Sequence, residues 1–193
     1  SDAAKDLTNN NLFMAHEGGA VGANNDYNTG IGIGALISLN DDATAGAGDY
    51  NTALGYNALN ANTLGSYNTA QGVRALGDTS TGERNTALGY QALKTNVAKS
   101  RNTAVGYDAM HYADDDATPA ATYNTAMGYE ALFGSTTAAN NTGTYNTALG
   151  ALALRENTSG SYNVAVGSLS LRNNTTGLAN IAMGNGALYA NTT

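Results

Sequence analysis

Residues able to do chemistry are few and dispersed in this chain. His16 and His111 are the only imidazoles, and neither stands in a nucleophile or metal-binding pattern. Glu17, Glu83, Glu130 and Glu156 are scattered, so no acid–base carboxylate pair is marked. Gly30-Ile31-Gly32-Ile33-Gly34 is a poor phosphate loop, because no helix is expected after it. Three clusters do stand out: Leu39-Asn40-Asp41-Asp42, His111-Tyr112-Ala113-Asp114-Asp115-Asp116, and Phe133 with residues 135–144. The run Asp114 to Asp116 lacks the alternating spacing of a calcium loop, so no metal and no cofactor are expected. What remains is recognition. Asp41, Asp42, His111, Tyr112, Asp114, Asp115, Asp116 and Phe133 are the candidate receptor contacts. A series of tyrosines (Tyr27, Tyr50, Tyr67, Tyr123, Tyr145, Tyr162) adds Arg84 and Arg101 at its middle, a combination of rings and cations suited to glycan binding or to a ladder stacked on itself.

These groups are positioned by a repeat. The unit Tyr-Asn-Thr-Ala-Leu-Gly-Tyr-x-Ala-Leu is clearest at Tyr50–Leu59, and its Asn recurs at positions 28, 51, 68, 85, 102, 124, 146, 163 and 180. The spacings are 23, 17, 17, 17, 22, 22, 17 and 17, so a 17-residue period is lengthened three times. The lengthened coils carry the three clusters, and long loops on a rigid scaffold are where recognition usually sits. A degenerate further copy is expected around Ala20-Val21-Gly22. The column four after Asn is Gly in all nine copies, Gly55, Gly89 and Gly106 among them, which requires a positive φ or a close chain approach. The column two before that Gly is only Gly or Ala. Alternation puts Asn, Ala and Gly on one face of a short strand and Thr, Leu and Tyr on the other. Gly-, Asn- and Thr-rich turns such as Asn157-Thr158-Ser159-Gly160 follow. The Ala58-Leu59 pair and its equivalents predict a second strand per coil. The reading is an all-β parallel β-roll or solenoid of about nine coils of 17–23 residues. Its stacked Asn51, Asn68, Asn85, Asn102, Asn124, Asn146 and Asn163 form a hydrogen-bonded ladder. So thin a coil cannot bury a Leu on both faces, and self-association is expected to cover the outer one.

Composition agrees. Charged residues are 12% of the chain, about half the usual share. With 8 Lys and Arg against 15 Asp and Glu, the net charge is -7, and no basic cluster exists to track a nucleic-acid backbone. Absence of Cys excludes a disulfide scaffold. No apolar run approaches the roughly 18 residues of a membrane helix, and residues 1–6 show no signal-peptide pattern. Residues 1–19 depart from the repeat as a lead-in, and 20–193 form the repeat domain. The last residues, Ala190 to Thr193, match the connector start Asn173 to Thr176, so the repeat is expected to break off mid-connector.

The Asn-Thr-Ala-Leu-Gly-Tyr-x-Ala-Leu units with Thr-Gly-Ser-Tyr connectors, as at Ser161-Tyr162, resemble the repeat shafts of bacteriophage tail fibres and the heads of YadA-like trimeric autotransporter adhesins. The resemblance spans residues 20–190. The longer, Tyr-rich unit is closer to the phage variety, and the self-cleaving chaperone domain that often ends such fibres is not expected within these residues. The resemblance implies a left-handed roll, a homotrimer, and an extracellular place on a virion tail fibre or a bacterial surface. The expected function is a structural and adhesive fibre segment, not an enzyme, whose partners are itself and a surface glycan or protein. An ice-binding role for the Thr column is the alternative from another class.

Overall fold

The computed structural model describes residues 27–39, 47–112, 118–137 and 140–193, with the backbone of two short strands before them. Asp41, Asp42, Asp114, Asp115, Asp116 and the segment Ala20-Val21-Gly22 lie outside the described residues. The strands are β1 (Lys5–Asp6), β2 (Asn11–Met14), β3 (Thr29–Ile31), β4 (Thr52–Leu54), β5 (Thr69–Gln71), β6 (Thr86–Leu88), β7 (Lys99–Ser100), β8 (Thr103–Val105), β9 (Ala120–Ala121), β10 (Thr125–Met127), β11 (Thr147–Leu149), β12 (Val164–Val166) and β13 (Ile181–Met183). Eleven of them form one sheet, in the order β1-β2-β3-β4-β5-β6-β8-β10-β11-β12-β13. From β2 onward every pairing is parallel and joins like to like, as in Thr52↔Thr69↔Thr86 and Ala53↔Ala70↔Ala87. This is a parallel β-solenoid. Strand β1 caps it antiparallel, and β7 with β9 makes a separate two-stranded sheet. Among the described residues no helix is long and apolar enough to cross a membrane.

The ladder starts one rung earlier than the nine Asn positions suggest. Strand β2 pairs in parallel with β3, Leu12 opposite Thr29 and Phe13 opposite Gly30. Asn11 therefore stands 17 residues before Asn28, within the segment read as a lead-in.

Burial along each strand follows the pleat. Asn and Ala are buried, while Thr and Leu are half or fully exposed. Ala53, Ala70, Ala87, Ala104, Ala126 and Ala148 are completely enclosed, and across from them lies a column of Leu59, Leu76, Leu93, Met110 and Leu154. The interior thus holds one large side chain per coil. The Gly column has φ between 119° and 141°. From Gly32 to Gly167 a Cβ there would lie 2.2–2.7 Å from the carbonyl oxygen of the next Gly, so both reasons for Gly hold at once; at Gly184 only the positive φ applies.

The second strand expected at Ala58-Leu59 and its equivalents is absent; that stretch is a run of turns. The coil reverses there through left-handed residues that are not Gly. Asn57 has φ 53° and Leu59 φ 49°. Every described non-Gly residue of positive φ falls in one of three repeat columns: the Tyr/Arg column, the column two after Gly, and the Leu of Ala-Leu. Each such residue costs about 1 kcal/mol or more. Bonds along the solenoid axis hold them in place. Asn57 N–H donates back to Ile33 O at 2.9 Å, and Leu59 N–H donates forward to Ala75 O at 3.0 Å. Hydrogen bonding is sheet-like here, but the backbone conformation is not.

Candidate functional site

The Asn ladder is a single repeated device. Asn Oδ1 accepts the backbone N–H of the next Asn, as in Asn68 N to Asn51 Oδ1 at 2.9 Å and Asn85 N to Asn68 Oδ1 at 2.9 Å. It continues through Asn102, Asn124, Asn146, Asn163 and Asn180. Asn Nδ2 donates to the carbonyl three residues before the next Asn, Gly65 O for Asn51 and Gly82 O for Asn68. A second inner column, Asn62, Asn96, Asn157 and Asn174, clasps the same connector; Asn62 and Asn157 donate to Gly65 O and Gly160 O at 2.9 Å. Nearly all polar groups inside the coil are satisfied, which lets so thin a core persist.

The outer face is where apolar surface is left over. Among the described residues the exposed large apolar and aromatic side chains lie in four columns flanking and including the outward strand positions, except Leu178 in the last connector and Leu188 and Tyr189 of the last coil. Those columns are the Tyr before Asn, the Thr, the Leu after Ala, and the residue after Gly. Leu54 and Leu88 are 41% exposed and Met127 50%.

The Tyr column is stacked from coil to coil. Tyr27, Tyr50 and Tyr67 stack at 4.9 and 5.0 Å, and Tyr123, Tyr145 and Tyr162 at 5.0 and 5.1 Å. Between the stacks, the Arg84 guanidinium lies over Tyr67 at 5.1 Å and that of Arg101 over Tyr123 at 5.5 Å. A shorter stack, Tyr90, Tyr107 and Tyr129, follows the Gly column at 4.9 and 5.6 Å. Asp108 raises the Tyr107 hydroxyl pKa above its ordinary value, and the Glu130 hydrogen bond does the same for Tyr129.

The lengthened coils bring His111, Tyr112 and Phe133 together. Their ring centroids are 4.4 Å (His111–Tyr112), 5.6 Å (His111–Phe133) and 5.1 Å (Tyr112–Phe133) apart. His111 is buried and its Nδ1 lies 2.9 Å from Asp108 Oδ1, so its ring packs inside the column. Arg155 covers Phe133 at 4.8 Å and binds Glu130 at 2.5 Å and Glu156. Burial pushes Glu130 up, but hydrogen bonds from Tyr129 and Arg155 outweigh it and hold the carboxyl below its ordinary value. Desolvation opposes the Arg155 charge, and its two carboxylate partners overcome that. Among the described residues no cluster of acidic or imidazole side chains could hold a metal.

Arg84 and Arg101 edge an open cleft of about 330 Å³, with Glu83, Ser100, Pro119 and Ala121. Sequence reasoning singled out the two arginines but missed the other lining residues. A signal was present: Lys99 and Ala121 stand where six other coils have Gly, three residues before Asn. Elsewhere a Cβ in that column would strike the neighbouring coil, 2.3 Å from Gly82 O at Gly65. The connector is displaced here, pairing as β7 with β9. No protein-family model, curated protein or solved structure matches the chain.

Proposed function

We propose that this chain is a structural and adhesive segment of an extracellular attachment fibre, a phage tail fibre in the first instance, in the left-handed homotrimeric form that the resemblance implies. The observation that carries this reading is the outer face. Its columns of Thr, Leu and Tyr recur along the stack, broken at Gln71 among the Leu residues and at Arg84, Arg101 and Ala179 among the Tyr, and a second and third copy would cover the uncovered Leu column. Ten parallel rungs at about 4.8 Å give a stiff rod of roughly 45–50 Å. The rod works mechanically, holding binding surfaces away from the particle or cell, and three chains multiply weak contacts. A bacterial adhesin head shares the same physics, and the flanking anchor distinguishes the two. Ice binding by the exposed Thr column is the second reading; Leu and Tyr columns beside it make the face aromatic and apolar, not a lattice of hydroxyls. Light scattering is the test. A solution mass of three chains supports the fibre, and Leu149→Asp, which places charge in the outward Leu column, should dissociate it. A wild-type monomer, or an undiminished Leu149→Asp trimer, removes the Leu-faced assembly.

A further inference from the structure

We propose that the cleft beside Arg84 and Arg101 binds an acidic polysaccharide, a chain of carboxylate-bearing sugars. The inference rests on the adhesive reading above and names its ligand class. In a repeat protein the shared columns maintain the stack, so a place where several columns depart together is where something other than stacking is built. Four departures meet here. Arg84 and Arg101 replace Tyr on consecutive coils. Lys99 and Ala121 replace Gly, the coil from Asn102 is lengthened, and Pro119, the only proline of the chain, lies in the lengthened segment. The cleft between them, about 330 Å³ and open to solvent, suits a stretch of an exposed polymer better than an enclosed small molecule.

Charge selects the ligand. The chain carries a net charge of -7, yet among the described residues two guanidinium groups face this cleft against one carboxylate. Arg84 is held by Glu83 at 2.6 Å. Arg101 pairs with no carboxylate among the described residues and only lies over the Tyr123 ring, so its fork of donors is open to a sugar carboxylate. The exposed rings of Tyr67 and Tyr123 flank the pair; their faces are taken up by Tyr50 and Arg84 and by Arg101 and Tyr145, so they present edges and hydroxyl groups to a neighbouring sugar. A nucleic-acid strand would need a longer run of cations than these two.

Calorimetric titration of the whole chain with oligogalacturonate and with oligomannuronate tests this, with dextran as the neutral polymer. The expected result is binding of at least one uronate, weakened by salt, and no binding of dextran. Arg101→Gln should weaken uronate binding at least tenfold, and Glu83→Gln, by releasing Arg84, should tighten it. Absence of binding to both uronates, equal binding of dextran, or an unchanged Arg101→Gln affinity overturns the proposal. Light scattering on the same samples separates the two readings. A trimer that ignores both uronates removes this site and leaves the fibre; a monomer that binds them through Arg101 supports the site and removes the trimer.

Discussion

The coil that begins at Asn68 and the coil that begins at Asn102 carry the same strand, the same Gly and the same inner Ala, yet they close differently. At Asn68 both ends of the amide are used: Oδ1 accepts Asn85 N–H at 2.9 Å, and Nδ2 donates to Gly82 O at 2.8 Å. At Asn102 Oδ1 still accepts Asn124 N–H at 2.9 Å, but Nδ2 has no partner, and the Thr122 hydroxyl donates to Oδ1 at 2.7 Å. The other two lengthened coils keep the Nδ2 bond, Asn28 to Gly48 O and Asn124 to Gly143 O, both at 2.8 Å. Length alone does not break the clasp. The difference teaches that the oxygen of the ladder holds strand register, while the nitrogen holds the connector. Among the described residues register is kept from rung to rung, and the nitrogen is left without a partner at Asn102, beside the Arg84–Arg101 cleft, and at Asn180 in the last rung.

The largest expected effect probes what both coils share. Gly72→Ala sets a Cβ 2.2 Å from Gly89 O at φ 138°, and should destabilise the chain by about 3–5 kcal/mol in urea denaturation. Gly184→Ala, with φ 119° but nothing within 4 Å, should cost only the backbone strain, about 1–3 kcal/mol. Equal losses would show that the stacked carbonyls do not set the Gly requirement. Next comes the amide itself. Asn68→Asp turns an oxygen onto the Gly82 carbonyl, whereas Asn102→Asp displaces no donated bond. The first should be less stable than the second by about 2 kcal/mol at neutral pH. Identical midpoints for the two would erase the distinction between the coils.

Glu130 gives a smaller effect, in another lengthened coil. Its folded pKa is depressed below the ordinary 4.5, so its contribution is present above that pH and is lost as the pH falls through the folded value. Glu130→Gln should cost about 1 kcal/mol at pH 7 and reduce the wild-type loss of stability below about pH 4.5, followed by thermal melting. An unaltered acid slope would assign the pH dependence to other carboxylates. The smallest change is expected from restoring the column: Arg84→Tyr should leave stability within about 0.5 kcal/mol, exchanging an exposed ion pair for a ring stacked on Tyr67. A large loss would mean that Arg84 holds the fold as well as the cleft.

The period, the strands, the inward Asn and Ala and the strict Gly were legible because nine copies repeat one environment. Reading down a column averages over neighbours in a way that a single segment does not allow. Leu59 and its equivalents were not legible as turn residues. Leu prefers right-handed or extended backbone, and what holds it left-handed is a bond to Ala75 of another coil. The first rung was hidden because Phe13 stands in the column of Gly and Ala, although the register sets it opposite Gly30, the one Gly there. At the candidate site, Arg84 and Arg101 were visible as departures from Tyr. Pro119 was not, because an inserted loop has no column to be compared with; Ala121 does stand in the Gly column three residues before Asn, but that column was not read.

Since each rung is bonded only to the rung before and the rung after, and in the same register each time, a gene could gain or lose 17 codons at a stroke without creating a junction the protein does not already contain. Reach would then be a trait inherited by copy number, open to unequal recombination between near-identical stretches. Whatever is particular to one stretch would be inherited separately, in the lengthened coils where the copies no longer match.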